Sequence, residues 1–193
     1  EHAPTLVTVA LVVLVLGAGP FVRVVGPRLE EIADGESGIR IAHPVGWSFH
    51  ENHLGHPAWE NALGVSIGVR AERRQRRPYT LPELREKFLT GDLGSREREG
   101  ELASIVIRRE RPFAIHGGRG LELDVDLESR DGLRDTRNVI IERAHYAYLV
   151  VVSRPRQWSD AYAQIVARLI DEIRLDETRE LARSRRAVPP VPG

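Results

Sequence analysis

Apolar and polar residues alternate along much of this chain, and each alternating run predicts a half-buried strand. Ile39 and Ile41, then Trp47 and Phe49, flank the turn tripeptide Pro44-Val45-Gly46, so this stretch is expected to form a hairpin. Leu63, Val65, Ile67 and Val69 alternate in a second run, and residues 102–109 and 111–115 read as a strand interrupted by charge. Leu121, Leu123, Val125 and Leu127 alternate with Glu122, Asp124, Asp126 and Glu128. Residues 136–143 and 146–153 predict two strands joined by a tight turn near Ala144-His145, with Pro155 stopping the second. Two segments switch to helical spacing. Thr80-Leu81-Pro82-Glu83 has the capping-box pattern and opens a helix over residues 80–90 with Leu84, Phe88 and Leu89 on its apolar face. From Ser159 onward, Tyr162, Ile165, Val166, Leu169, Ile170 and Ile173 form one stripe, which predicts a closing helix against a core. Strands outnumber helices and most connections are short. The expected fold class is therefore α+β, an antiparallel sheet flanked by helices, spanning residues 37–176.

The ends of the chain differ from this middle. Residues 3–22 carry no charge, enough for about 30 Å of helix, and residues 1–25 read as a transmembrane anchor in contact with the lipid bilayer. Gly17, Gly19 and Pro20 are expected to end or kink that helix. A cleaved signal peptide with Gly17-Ala18-Gly19 near its processing site, and a buried helix of a soluble protein, are the competing readings. The flank Glu1-His2 is not basic, which favours the anchor. Arg23 and Arg28 follow the span, and the positive-inside rule alone would put the domain in the cytoplasm. Residues 26–36 are polar and turn-rich and read as a linker. Residues 177–193 are charged and then rich in proline, an extended tail unable to form a core.

Composition narrows the chemistry. The chain contains no cysteine, which excludes disulfides, thiolate metal sites and cysteine nucleophiles. Its 28 basic and 28 acidic residues cancel, so no general grip on nucleic acid is expected. All the basic residues but Lys87 are arginine.

The order of landmarks resembles the PsbP-like family, which includes the DcrB-like periplasmic proteins of bacteria. The likeness rests on Ile39-Arg40-Ile41-Ala42-His43-Pro44-Val45-Gly46-Trp47-Ser48-Phe49, similar to that family's strand, Pro-x-Gly-Trp, strand opening. It continues through the strand at 63–70, the helix start at Thr80-Leu81-Pro82-Glu83-Leu84 and the Gly117-Gly118 turn. The paired strands ending in Tyr146-Ala147-Tyr148-Leu149 and a closing helix running into Ile173-Arg174-Leu175 complete it. The resemblance implies an α/β/α sandwich. It also implies a non-catalytic role without a cofactor, as a membrane-extrinsic accessory subunit of the kind best known on the lumenal face of photosystem complexes. By that analogy the domain is expected on the periplasmic side of the inner membrane, against the hint from the flanking arginines.

Four constellations could carry chemistry. Gly64-Val65-Ser66-Ile67-Gly68 matches the nucleophile-elbow pattern, and His116-Gly117-Gly118 is similar to an oxyanion loop. An elbow needs its serine at a strand-to-helix turn, whereas Ser66 sits inside an alternating run, so small residues in a strand are the plainer reading. His50, His53 and His56 lie in a loop with Glu51 and Glu60, and three converging imidazoles could hold zinc, copper or nickel. The plainer reading there is a solvated or partner-contacting loop. The Glu122, Asp124, Asp126 and Glu128 ladder could bind calcium, but alternate residues stand about 6.6 Å apart along a strand, and Arg137 or Arg108 are the better partners. Finally Arg70, Arg73, Arg74, Arg76 and Arg77 surround a single Glu72, a site for an acidic protein surface or lipid headgroups, or else a solvated loop.

Together these readings lead to the expectation of a non-enzymatic, membrane-anchored extrinsic subunit. It would stabilise a larger complex of integral membrane proteins, in its most specific version a photosynthetic reaction centre–antenna assembly. The alternatives are a free-standing anchored module for a metal or small ligand, and a serine hydrolase acting through Ser66.

Overall fold

The computed structural model describes residues 27–33, 37–51, 57–73 and 79–176. The expected anchor, the proline-rich tail, His53, His56, Arg74, Arg76 and Arg77 lie outside the described residues. Among those described, no helix is long and apolar enough to cross a membrane.

The alternating runs become strands of one large antiparallel sheet. β3 (Ser48–Glu51), β4 (Pro57–Glu60), β5 (Ser66–Arg73), β6 (Leu102–Phe113), β7 (Arg119–Ser129), β8 (Gly132–Glu142) and β9 (Tyr146–Pro155) assemble in the order β3-β4-β5-β9-β8-β7-β6. A second, three-stranded sheet holds β1 (Leu29–Ala33), β2 (Ile39–Pro44) and β10 (Arg174–Leu175) in the order β1-β2-β10.

The expected hairpin across Pro44-Val45-Gly46 does not form. Both ladder edges of β2 are occupied, by β1 on one side and β10 on the other, so β3 pairs with β4 in the large sheet. The turn itself is real. Trp47 N–H donates to the Pro44 carbonyl at 3.3 Å, and Gly46 adopts φ +87°, a conformation other residues rarely take. It makes a corner between sheets. The partner that displaces the hairpin comes from the segment read as a linker: Leu29–Ala33 is an edge strand, and its Leu29 and Ile32 pack on the core.

One face of the large sheet is covered by a helical unit opened by the capping box, with Thr80 N–H donating to Glu83 Oε2 at 2.8 Å. The unit runs beyond the expected residue 90. It comprises α1 (Leu81–Glu86), a π-helical stretch Lys87–Leu93, and α2 (Gly94–Arg98). Leu84, Phe88 and Leu93 pack on Leu123, Val125 and Ile140 beneath it. The opposite face carries α3 (Ala163–Asp171) and the small sheet, with Leu169, Val166 and Ile170 meeting Ile39, Ile141 and Val150. α3 begins later than the apolar stripe predicts. Residues 156–158 form a 3₁₀ turn, and Ser159 donates to Asp135 at 2.9 Å, which ties that stretch to the sheet. The layering is helix, sheet, helix, as an α/β/α sandwich requires, with the small sheet sharing the third layer.

Candidate functional site

The sandwich has two chemically distinct faces, and each absorbs some of the residues singled out in the sequence. On the α3 side, the acidic ladder of β7 meets arginines from its neighbours. Glu122 and Asp126 are only 3% and 4% exposed. Glu122 accepts from Arg111 at 2.6 Å and lies 3.3 Å from Arg137 Nε. Asp124 accepts from Arg137 at 2.9 Å, and Asp126 is paired with Arg108 and with Arg156. The expected partners Arg137 and Arg108 are thus the actual ones. The charged break in β6 is a register shift between Ile107 and Arg109 rather than an end to the strand; it leaves Arg108 as the extra residue, beside Asp126. Asp135 stands directly across from Asp126, a like-charge juxtaposition relieved by Arg154 and Ser159. Burial alone would raise the Asp135 carboxyl, but hydrogen bonds from Arg154 and Ser159 outweigh it and hold the group below its usual range. The hydrogen bond from Arg111 to Glu122 raises the Arg111 guanidinium in turn. Every position of the ladder that is buried is matched by a cation, so the arrangement is an ion-pair network of the fold.

On the other side, the helical unit does not lie flat on the sheet. Between it and strands β3, β4, β5, β9 and β8 runs a groove of about 510 Å³. Its floor is made of small and polar residues, Ser66, Gly68, Ser153, Thr136 and Asn138, and its wall of Phe88, Asp92 and Leu93 from the π-helical stretch. A widened helical turn of this kind is rare and concentrates at functional sites. Cross-strand register explains the floor: Ser66 faces Ser153, which faces Thr136, and Gly68 faces Val151, which faces Asn138.

His50 lines this groove, 3.8 Å from Glu60 across β3 and β4. Among the described residues no group of three metal-ligating side chains converges. Ser66 lies on the groove floor as the first residue of β5, a strand that starts later than the alternation predicts, and a strand rather than a helix follows it. The His116–Gly118 turn packs at the Glu142 end of β8, whereas Ser66 aligns with Thr136, so about 20 Å of strand separates them. The two halves of the hydrolase pattern do not meet. Arg70, expected to face a partner, is instead only 15% exposed and donates to Asp92 at 2.5 Å, closing one end of the groove. Arg73 ends β5 and is exposed.

Sequence reasoning missed the cation at the other end of the groove, Arg134. Its Nε donates to Ser153 Oγ at 2.8 Å and its Nη2 to the Gly64 carbonyl at 2.6 Å. The signal was present in β8, where Arg134, Thr136 and Asn138 put polar residues in the phase that Ile140 completes.

A third feature lies at the sheet margin. β3 is the outermost strand, and its Phe49 is 59% exposed. Phe49 leans on Trp59 at 5.3 Å between ring centroids, and Trp59 stacks on buried His43 at 5.2 Å and 11°. Val45 is exposed on the preceding corner, and Trp47 is half-buried.

No protein-family model and no curated protein matches the chain. Solved structures do. The cyanobacterial PsbP protein CyanoP of Synechocystis superposes with a TM-score of 0.62 at 12% identity, over 79% of this chain and 96% of its own. The Ran-binding protein Mog1p of Saccharomyces cerevisiae gives 0.54 at 12%, over 80% and 98%. LpqN of Mycobacterium tuberculosis, a protein involved in cell envelope biogenesis, gives 0.51 at 12%, over 80% and 94%. Likeness at this identity speaks for architecture alone, and on that level the sequence resemblance holds: the chain has the Mog1p/PsbP-like fold.

Proposed function

We propose that this protein is a non-catalytic, membrane-anchored extrinsic accessory subunit that stabilises a larger membrane protein complex. The observation that carries the docking role is the aromatic margin of the sheet. An outermost strand presents backbone donors and acceptors to a partner, and β3 does so beside an exposed Phe49 held in place by Trp59 and flanked by Val45. Aromatic side chains so positioned dominate binding energy at protein interfaces. The fold supports a role in recognition, since Mog1p is a Ran-binding protein of the same architecture.

In this reading residues 3–22 anchor the chain in the inner membrane and the domain faces the periplasm. Arg73, with Arg74, Arg76 and Arg77, adds a charged contact, without Arg70, whose charge is spent on Asp92. Partners are integral membrane subunits, not nucleic acid. A photosynthetic reaction centre–antenna assembly is the most specific version, supported by the likeness to CyanoP. Tethering places the domain at high effective concentration beside its partner, so a modest interface suffices.

The experiment is purification of the tagged full chain from native membranes in mild detergent. A stoichiometric membrane partner is expected, lost with Phe49→Ser and retained with Leu133→Ser, which alters an exposed apolar residue elsewhere. A chain that runs alone overturns the proposal. A second reading, a free-standing binding module for a metal or small ligand, is favoured by the groove. Metal analysis of the purified protein, with and without His50, His53 and His56, tests its metal form.

A further inference from the structure

Other arginines packed on the large sheet are matched by carboxylates, Arg70 by Asp92, Arg137 by Asp124 and Arg154 by Asp135, and buried Arg143, which does not line the groove, donates to the Asp176 carbonyl. Arg134 is the exception at the groove. Its guanidinium is held by two neutral acceptors, Ser153 Oγ and the Gly64 carbonyl, and no carboxylate among the described residues lies within 4.0 Å of it. Burial pushes it down from its ordinary value, and the charges of Glu60 and Asp131 do not offset that. A partly desolvated cation without a counter-charge is costly, and an anion entering the groove relieves that cost.

The surroundings define which anion. Ser66 of β5 stands directly opposite Ser153 of β9, and its hydroxyl makes no hydrogen bond among the described residues, which leaves a donor beside the guanidinium. The other cations of the groove are already neutralised, Arg70 by Asp92 and Arg96 by Glu101 at 2.9 Å, so the site balances one negative charge rather than two. Beyond the head, the groove turns apolar along Val151, Leu149, Phe88 and Leu93. Gly68 keeps the floor clear: a side-chain carbon there would meet only Ala58 and Pro57, at 3.7 Å, and nothing from the helical wall. Asn138 is 1% exposed and donates its amide nitrogen to the Leu123 carbonyl and to Thr136, which fixes it in the floor. The volume, about 510 Å³, is that of small-molecule sites.

We propose that the groove between the large sheet and the 81–98 helical unit binds a small amphipathic monocarboxylate, its head on Arg134 and Ser66 and its apolar body along Val151, Leu149, Phe88 and Leu93. The proposal is independent of the docking role at Phe49, which lies on the opposite face of the sheet.

The probe is 4-phenylbutanoate, titrated calorimetrically into the full chain held in lipid nanodiscs, with empty discs as blank and 4-phenylbutan-1-ol as the uncharged counterpart. One site with a Kd below about 1 mM is expected, and the alcohol should bind at least about tenfold more weakly. Arg134→Gln should weaken the carboxylate by about tenfold or more and leave the alcohol unchanged. Ser66→Ala, which breaks no hydrogen bond among the described residues, should weaken it by roughly fivefold. Gly68→Val fills the floor and should abolish binding of both compounds. If Arg134→Gln fails to fold, the Ser66 and Gly68 variants decide the matter alone. No binding of 4-phenylbutanoate, equal binding of acid and alcohol, or binding indifferent to these variants overturns the proposal.

Discussion

If the acidic ladder of β7 belongs to the fold, its buried members should matter to stability and its exposed member should not. Glu122→Gln is the sharpest perturbation, because it removes the charge and keeps the shape. Glu122 is 3% exposed and receives Arg111 at 2.6 Å and Arg137 at 3.3 Å. Charge-assisted bonds contribute about 1.5–3 kcal/mol each, and breaking a fully buried pair costs about 3–5 kcal/mol. The loss here is smaller than that upper range. Arg137 keeps Asp124 at 2.9 Å, Arg111 is well exposed and regains water, and Gln retains an acceptor. About 2 kcal/mol is expected. Glu128 is exposed and takes only a 3.3 Å bond from Ser104, so Glu128→Gln should stay within about 0.5 kcal/mol. Urea unfolding reads the difference as a midpoint shift of roughly 1 M for Glu122→Gln at unchanged slope, and almost none for Glu128→Gln. Calcium added to the wild type should leave the midpoint where it is. Equal effects of the two substitutions, or a midpoint that rises with calcium, would refute the ion-pair reading.

Other expectations follow from the same packing. Leu169, fully buried on the core-facing side of α3, should cost about 3 kcal/mol as Leu169→Ala, while Ile165→Ala, partly buried on the same helix, should cost clearly less; parallel denaturation curves would contradict the assignment of the helix face. Asp135 is held below its unfolded value of 3.8, so the unfolded chain binds the proton first and the group's contribution, whole at neutral pH, fades once pH falls to about 4 and below. Asp135→Asn should therefore flatten the acid limb of the stability profile, and a variant that tracks the wild type through acid unfolding would contradict this.

The sequence revealed what local patterning controls. The Ile67 and Val69 alternation, the Thr80–Glu83 cap and the Val166–Leu169–Ile170 stripe each reflect one element packing on one core and appear as read, whereas Leu63, expected in the same strand, is exposed in the turn before β5 and Val65 stands just ahead of its first residue. What escaped depends on competition between distant partners. The turn at Pro44-Val45-Gly46 specifies a corner but not which strand follows it, and β1 and β10 take the edges that a hairpin would need. Leu29–Ala33 looks like a linker because only Leu29 and Ile32 reach the core. The arginine partners of the β7 ladder were legible, but nothing local marks Glu122 and Asp126 as buried, since burial is possible only once arginines from β6 and β8 stand beside them. The groove was invisible for a related reason. Its floor owes its room to Gly68 and its charge to Arg134, residues from strands that meet only through β9.

The docking role can be tested at the point of contact. With a photo-reactive residue replacing Phe49 in the full chain, irradiation of native membranes should yield one discrete adduct with an integral membrane subunit. The same residue at Leu133, on a distant part of the sheet, should yield none. No adduct from position 49, or the same products from both positions, would contradict the proposal that this margin joins the domain to a larger complex.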